Sequence, residues 1–185
     1  MSATDLTSLA NVKTWLGKTD ASSDPILSLL IPQISDEIRT YTNRDIYPVT
    51  NYGETRDGNG RSAMTVLQYP IASVTGVTIN GVPIPALSTP TGSGYGYDKN
   101  SIRLQGYVFT KGVQNVSIAY SAGYAVLPPV IERACIELIA HRFEGKNRVG
   151  VKSKSQGAQN VTFDTSALPE SVATILKQWG RPYPG

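Results

Sequence analysis

Apolar residues near the start of the chain recur at helical spacing. Leu6, Leu9, Val12 and Leu16 fall on one face, with Thr4 or Asp5 as cap and Gly17 as terminator, so a first helix is predicted over Asp5–Gly17. Ser22-Ser23-Asp24-Pro25 then opens a second helix, with Asp24 as N-cap and Pro25 at the first helical position, where a missing N–H costs nothing. Its apolar stripe is Leu27, Leu30, Ile31, Ile34, Ile38 and Tyr41, widened by Ile26 and Leu29. A helix apolar on more than one side packs against two layers, here expected to be the core and a neighbouring subunit. Pro32 removes one backbone donor inside this helix and predicts a kink near Leu29–Ile31.

From about Tyr52 to Tyr120 the pattern changes to short β-rich runs. Turn signals separate them: Asp57-Gly58-Asn59-Gly60, Asn80-Gly81 and Gly92-Ser93-Gly94. The predicted strands are Tyr52–Arg56, Ala63–Leu67, Val74–Ile79, Val82–Ala86, Ser101–Leu104 and Val113–Tyr120. Ile79-Asn80-Gly81-Val82 is the sharpest local signal, because Asn-Gly suits a two-residue hairpin turn. The segment reads as a compact antiparallel unit, a small barrel or sandwich.

Pro128-Pro129 ends that unit and launches a third helix through Phe143, with Ile131, Ala134, Cys135, Leu138 and Arg142 on one face and Val130 and Ile139 at its edge. A loop is predicted over Glu144–Asn160, a short strand over Val161–Phe163, and a last helix over Glu170–Trp179. The tail Gly180–Gly185, with two prolines, should be extended. The fold class is therefore α+β. A helical core formed by 1–50 and 122–185 carries an inserted β unit, 51–121, between its second and third helices.

Composition narrows the function classes. The 185 residues suit one domain carrying an insertion, and no apolar run reaches the ~20 residues of a membrane span. The N-terminus lacks a basic-then-apolar signal pattern, and the single Cys135 cannot form an internal disulfide, so a reducing cytoplasm is expected. The net charge of +3 is too small to mark a nucleic-acid binder. It is unevenly spread: residues 1–50 carry four basic and six acidic side chains, residues 122–185 eight and five.

Candidate chemistry is sparse. His141 is the single histidine, and with one cysteine it cannot build a metal cage. Cys135 and His141 lie six residues apart on one predicted helix, so they diverge by about 120° and lie about 9 Å apart along the axis, which defeats a nucleophile–base pair. Cys135 is expected in the core and His141 exposed or at an interface. The glycine-rich Gly58–Gly60 and Gly92–Gly96 lack the Lys-Ser/Thr ending of a phosphate loop and read as turns. Asp57 with Asp98 or Glu54 could pair as carboxylates, but solvated loop positions are the simpler reading. No catalytic, metal or cofactor residues are assigned, and no enzyme activity is expected.

Two features invite partners. Arg142, Lys146, Arg148, Lys152 and Lys154 face only Glu144 among glycines and serines, as a solubilising loop, a loop ordered by an acidic protein surface, or a phosphate-facing loop. Trp179, Arg181 and Tyr183 combine aromatic rings with a proline-fixed tail, suited to docking on this chain or on another. A third possibility is a binding module for carbohydrate or a host or capsid surface, with Tyr95, Tyr97 and Tyr107 as stacking rings.

Four local patterns resemble the head–tail connector (adaptor, head-completion) family of tailed bacteriophages. They are Leu6–Gly17; Asp24–Arg44 with its Tyr41-x-x-Arg44 ending; Val116–Tyr124 followed by Pro128 and the helix to Phe143; and Arg148–Ser155 followed by Val161 and Leu168-Pro169. Pro32 and the length of the β insertion depart from the family pattern. The resemblance implies a structural virion protein of the neck, assembled in the bacterial cytoplasm, with no cofactor. It implies a ring, twelve copies when assembled, docked under the portal protein and followed by a stopper or tail-terminator protein, with DNA passing through unread. A stopper or tail terminator is itself a related alternative. On this reading the basic stretch is a protein interface and the Trp179–Tyr183 end docks on the portal.

Overall fold

Capping chemistry decides where the chain enters its first helix. The computed structural model describes residues 5–146, 153–156, 159–162 and 168–181. Helix α1 (Leu9–Trp15) is capped by Ser8, whose Oγ accepts from the Asn11 N–H at 3.1 Å, so neither Thr4 nor Asp5 is the cap. Leu6, expected inside the helix, precedes it in the core, and its N–H donates to Ser35 Oγ at 2.9 Å. Gly17 takes the left-handed φ of +64° just past the helix end, as predicted.

Helix α2 (Asp24–Thr42) begins at the predicted Asp24-Pro25 step, but its N-cap is Ser23. Asp24 instead holds Lys13 of α1 at 2.7 Å. Pro32 lies inside the helix on an exposed position. Asn43 in the left-handed region closes the element. Leu27, Ile31, Ile34 and Ile38 form the buried stripe, while Leu29 is 57% exposed and Ile26 and Leu30 are half-buried.

Helix α3 (Pro129–Gly145) touches α1, α2 and the last helix, α4 (Glu170–Trp179). Its Ile131, Ala134, Cys135, Leu138 and Ile139 are fully buried, each larger side chain contributing about 1.5–3 kcal/mol on transfer from water. Thr7 and Asn11 donate to Glu132 Oε1 on α3 at 3.3 and 2.6 Å. Helix α4 coincides with its prediction and buries Val172 and Leu176. These helices belong to one compact unit, Met1–Asn43 with Leu127–Gly185; a second, Arg44–Val126, holds the main sheets.

The second unit runs β1 (Thr50–Gly58), β2 (Ala63–Thr65), β3 (Ile71–Ile79), β4 (Val82–Ile84), β5 (Gly94–Tyr97), β6 (Ser101–Gln105) and β7 (Gly112–Ala122). Two antiparallel sheets result, ordered β1-β7-β3-β4 and β2-β6-β5. Asn80 and Gly81, both at positive φ, make the predicted hairpin turn between β3 and β4. Neither sheet closes on itself, so the expected barrel alternative gives way to two open sheets over a shared core. Val77, Ile79, Val116, Ile118 and Tyr120 from one sheet and Met64, Tyr95, Ile102 and Leu104 from the other belong to one buried cluster with Phe109.

Two segments read as turn or loop are strands. Gly94-Tyr95-Gly96-Tyr97 is β5, paired along β6, because tertiary pairing overrides the low β-propensity of glycine. Within the predicted 144–160 loop, β8 (Ser153–Gln156) pairs with β9 (Gln159–Thr162), Lys154 opposite Val161. The predicted strand residue Phe163 lies outside the described residues.

Candidate assembly interface

The thiol and the acidic residues fall into structural roles. Cys135 is fully buried on α3, with its Sγ 3.9 Å from Ser35 Oγ. Burial pushes the thiol up to about 12, partly offset by the Ser35 contact. At about pH 8 this leaves roughly a thousandfold less thiolate than an ordinary thiol has. Reaction of the native chain with a disulfide reagent should therefore be at least ~10³-fold slower than in denaturing urea. A native rate within tenfold of the unfolded one would place the thiol outside the core. His141, on the same helix, is half-buried.

Glu54 corrects the solvated-loop expectation. It lies on β1 and is 7% exposed. Its Oε1 accepts from the Tyr120 hydroxyl and from the Leu67 N–H at 2.8 Å, and its Oε2 accepts from Arg56 at 3.1 Å. Asp98 pairs with Arg103 at 2.6 Å, and Asp57 accepts from the Gln114 N–H at 2.7 Å. The three carboxylates thus have separate partners. Among the described residues no cluster of three or more His, Cys, Asp or Glu could hold a metal ion.

The basic stretch divides between elements. Arg142 lies in the last turn of α3 and pairs with Glu37 of α2 at 2.9 Å, an acidic partner that reading along the stretch could not reveal. Lys146 follows the helix with its Nζ 4.1 Å from the centroid of the Phe143 ring. Lys154 sits on β8, while Arg148 and Lys152 lie outside the described residues. At the other end, Trp179 finishes α4 half-buried, and the Arg181 N–H donates to the Thr42 carbonyl of α2 at 2.8 Å. Tyr183 lies outside the described residues.

The helical unit also presents apolar side chains outward. Trp15, Leu29, Tyr41 and Val130 are 41–57% exposed. Pro25, Leu29 and Pro32 occupy i, i+4 and i+7 on α2, and all three are exposed, so they share one outward stripe. Pro32 has no N–H to give the Ser28 carbonyl, which leaves an acceptor beside that stripe. The widened pattern of α2 anticipated an outward apolar face. Trp15 was legible only as the ring off the Leu6–Leu16 face. In the β unit, Tyr97 and Tyr107 are exposed, but Tyr95 is buried with its hydroxyl on the Val74 carbonyl at 3.3 Å. The three rings therefore do not form the expected stacking platform.

No described helix is long and apolar enough to cross a membrane. No curated protein matches the sequence. The fold is similar to that of a chain from the neck of an empty gene transfer agent particle computed with C6 symmetry. The two are 19% identical with a TM-score of 0.59, over 100% of this chain and 96% of that one. A chain from the virion of a native gene transfer agent particle matches at 18% identity and a TM-score of 0.60, covering 97% and 93%. A chain from the neck of a native particle computed with C12 symmetry gives 19% and 0.56, covering 100% and 99%. At these identities the likeness is one of fold. The family model for head completion protein matches residues 5–181, and over that length the chain belongs to the head completion protein family.

Proposed function

We propose that the chain is a non-enzymatic neck subunit of a tailed phage or gene-transfer-agent particle, a connector whose copies close into a ring beneath the portal. The observation that carries this reading is the match of whole chains to neck components of particles computed with C6 and C12 symmetry, together with the family match. Such a ring extends the DNA channel toward the tail, and its next neighbour is a stopper or tail terminator.

A closed ring needs two complementary lateral faces on each protomer. The outward Pro25–Leu29–Pro32 stripe of α2 supplies one, and α3 with exposed Val130 contributes to the other. The Trp179–Gly185 end is the portal-docking element, and the segment from Arg142 through Lys154 faces protein. DNA slides past without base readout, since dense phosphate contacts would hold it.

Electron microscopy of the purified chain mixed with its cognate portal should show annular density of twelve copies stacked on the portal. Leu29→Glu should reduce ring particles at least tenfold while leaving the thermal midpoint within a few degrees, because Leu29 is exposed in the protomer. Removal of Gly180–Gly185 should abolish portal docking but spare the fold. Rings that survive Leu29→Glu would exclude this stripe from the lateral contact, and the absence of any annular species beside the portal would sink the reading.

A further inference from the structure

The β unit contains an opening that lies outside the lateral faces proposed above. Among the described residues β1 pairs only with β7 and β2 only with β6, so each is the outermost strand of its sheet. Both contribute to one open groove of ≈ 470 Å³, lined among others by Arg56, Asp57, Arg61, Ala63, Thr65 and Arg103.

The backbone along β2 is half satisfied. The Leu104 N–H donates to the Ser62 carbonyl at 2.7 Å and the Val66 N–H to that of Asn100 at 3.1 Å. Antiparallel alternation therefore turns the N–H and C=O groups of Ala63 and Thr65 to the open side. Asn59 Nδ2 takes the Ala63 carbonyl at 2.9 Å. The N–H groups of Ala63 and Thr65, about 7 Å apart along the strand, have no bond partner among the described residues.

The charge on the wall favours an anionic occupant. Arg56, Arg61 and Arg103 line it with one carboxylate, Asp57. Arg56 is held by Glu54 at 3.1 Å and Asp57 accepts from Gln114, so the positive charge open to a ligand is that of Arg61 and Arg103. Arg61 has no acidic partner among the described residues. Arg103 is tied to Asp98 only through Nε, in an exposed pair of little energetic weight. In register it faces Ala63 on one side and Gly96 on the other, so no long neighbouring side chain covers its guanidinium.

We propose that this groove takes an extended acidic segment of a partner protein, which adds as a strand along β2 and places carboxylates on Arg61 and Arg103. The main chain supplies register through Ala63 and Thr65, and the arginines supply sequence preference. Duplex DNA fits less well. Paired edge donors match a peptide backbone, and Asp57 repels a continuous line of phosphates.

The test uses the full chain, isotopically labelled for nuclear magnetic resonance. The probes are a ten-residue peptide alternating threonine and glutamate, its threonine–lysine counterpart, and a short DNA duplex. The glutamate peptide should slow hydrogen exchange at the Ala63 and Thr65 amides at least tenfold and bind at least tenfold tighter than the lysine peptide. The double variant Arg61→Glu, Arg103→Glu should lose at least tenfold in affinity; should it fail to fold, raised salt on the native chain should produce the same loss. Unchanged exchange at those amides, equal binding of both peptides, or tighter engagement of the same amides by the duplex overturns the proposal. A chain that forms rings yet ignores the glutamate peptide overturns the groove alone and leaves the connector reading intact.

Discussion

Glu54→Ala is expected to lower the unfolding free energy by about 3–5 kcal/mol, because it removes one side chain on which three donors depend. The Tyr120 hydroxyl, itself accepting from the Gln68 N–H at 3.0 Å, would be left in the core without its carboxylate, and the part-buried Leu67 N–H would lose this acceptor. Arg56→Ala should cost under about 1 kcal/mol, since its side chain is partly exposed and its loss leaves Glu54 with two donors. Urea unfolding followed by circular dichroism separates the two variants. A loss below about 1 kcal/mol for Glu54→Ala would remove the carboxylate from the core.

Alkaline titration gives a second view of the network. Burial, then the bond to Glu54, pushes the Tyr120 hydroxyl well above the ordinary tyrosine value of 10.0. The folded state therefore keeps a proton that the unfolded chain gives up. This contribution to stability is complete below pH 10 and declines as pH rises above it. Tyr120→Phe should flatten that part of the decline.

The second large effect is Gly58→Ala, expected to cost about 3 kcal/mol or more. A methyl group on Gly58 would stand 1.7 Å from the Thr110 carbonyl oxygen and 2.7 Å from its carbon. Both are backbone atoms, so no rotamer change relieves the clash. The loop bearing Thr110 is also tied to Asn115 and Asn80, and Gly58 itself donates to Asn115 Oδ1 at 2.9 Å. Gly53→Ala, on the same strand with no atom within 4 Å, is the matched control and should fall within about 0.5 kcal/mol of the parent. The urea midpoint should drop for Gly58→Ala with an unchanged slope, and equal midpoints for the two variants would dismiss the clash.

Where local rules suffice, the sequence alone was informative. Leu168-Pro169 and the following apolar spacing predicted α4 over its full length, and Asn80-Gly81 located a hairpin turn, because a left-handed pair is chemically demanding. Leu27, Ile31, Ile34 and Ile38 of α2 and Ile131, Ala134, Cys135 and Leu138 of α3 are buried as the 3.6-residue period predicts. Tyr41, on the same predicted stripe of α2, is exposed, and Ile139, placed at the edge of the α3 face, is buried. The family was readable from residue types and their order.

Tertiary structure decided what depends on partners distant in the chain. Gly94–Tyr97 is a strand only because β6 lies beside it, and Glu54 is a core residue only because Tyr120 and Leu67 arrive to meet it. Arg142 looked like part of an unpaired basic stretch until α2 brought Glu37 to it across 105 positions. The open edges of β1 and β2 likewise carry no local mark. Whether a strand is central or outermost is set by sheet order, and an arginine's partners are set by what the fold places within reach. A one-dimensional pattern reports the first preference of each residue, while pairing across the fold selects which preferences are honoured.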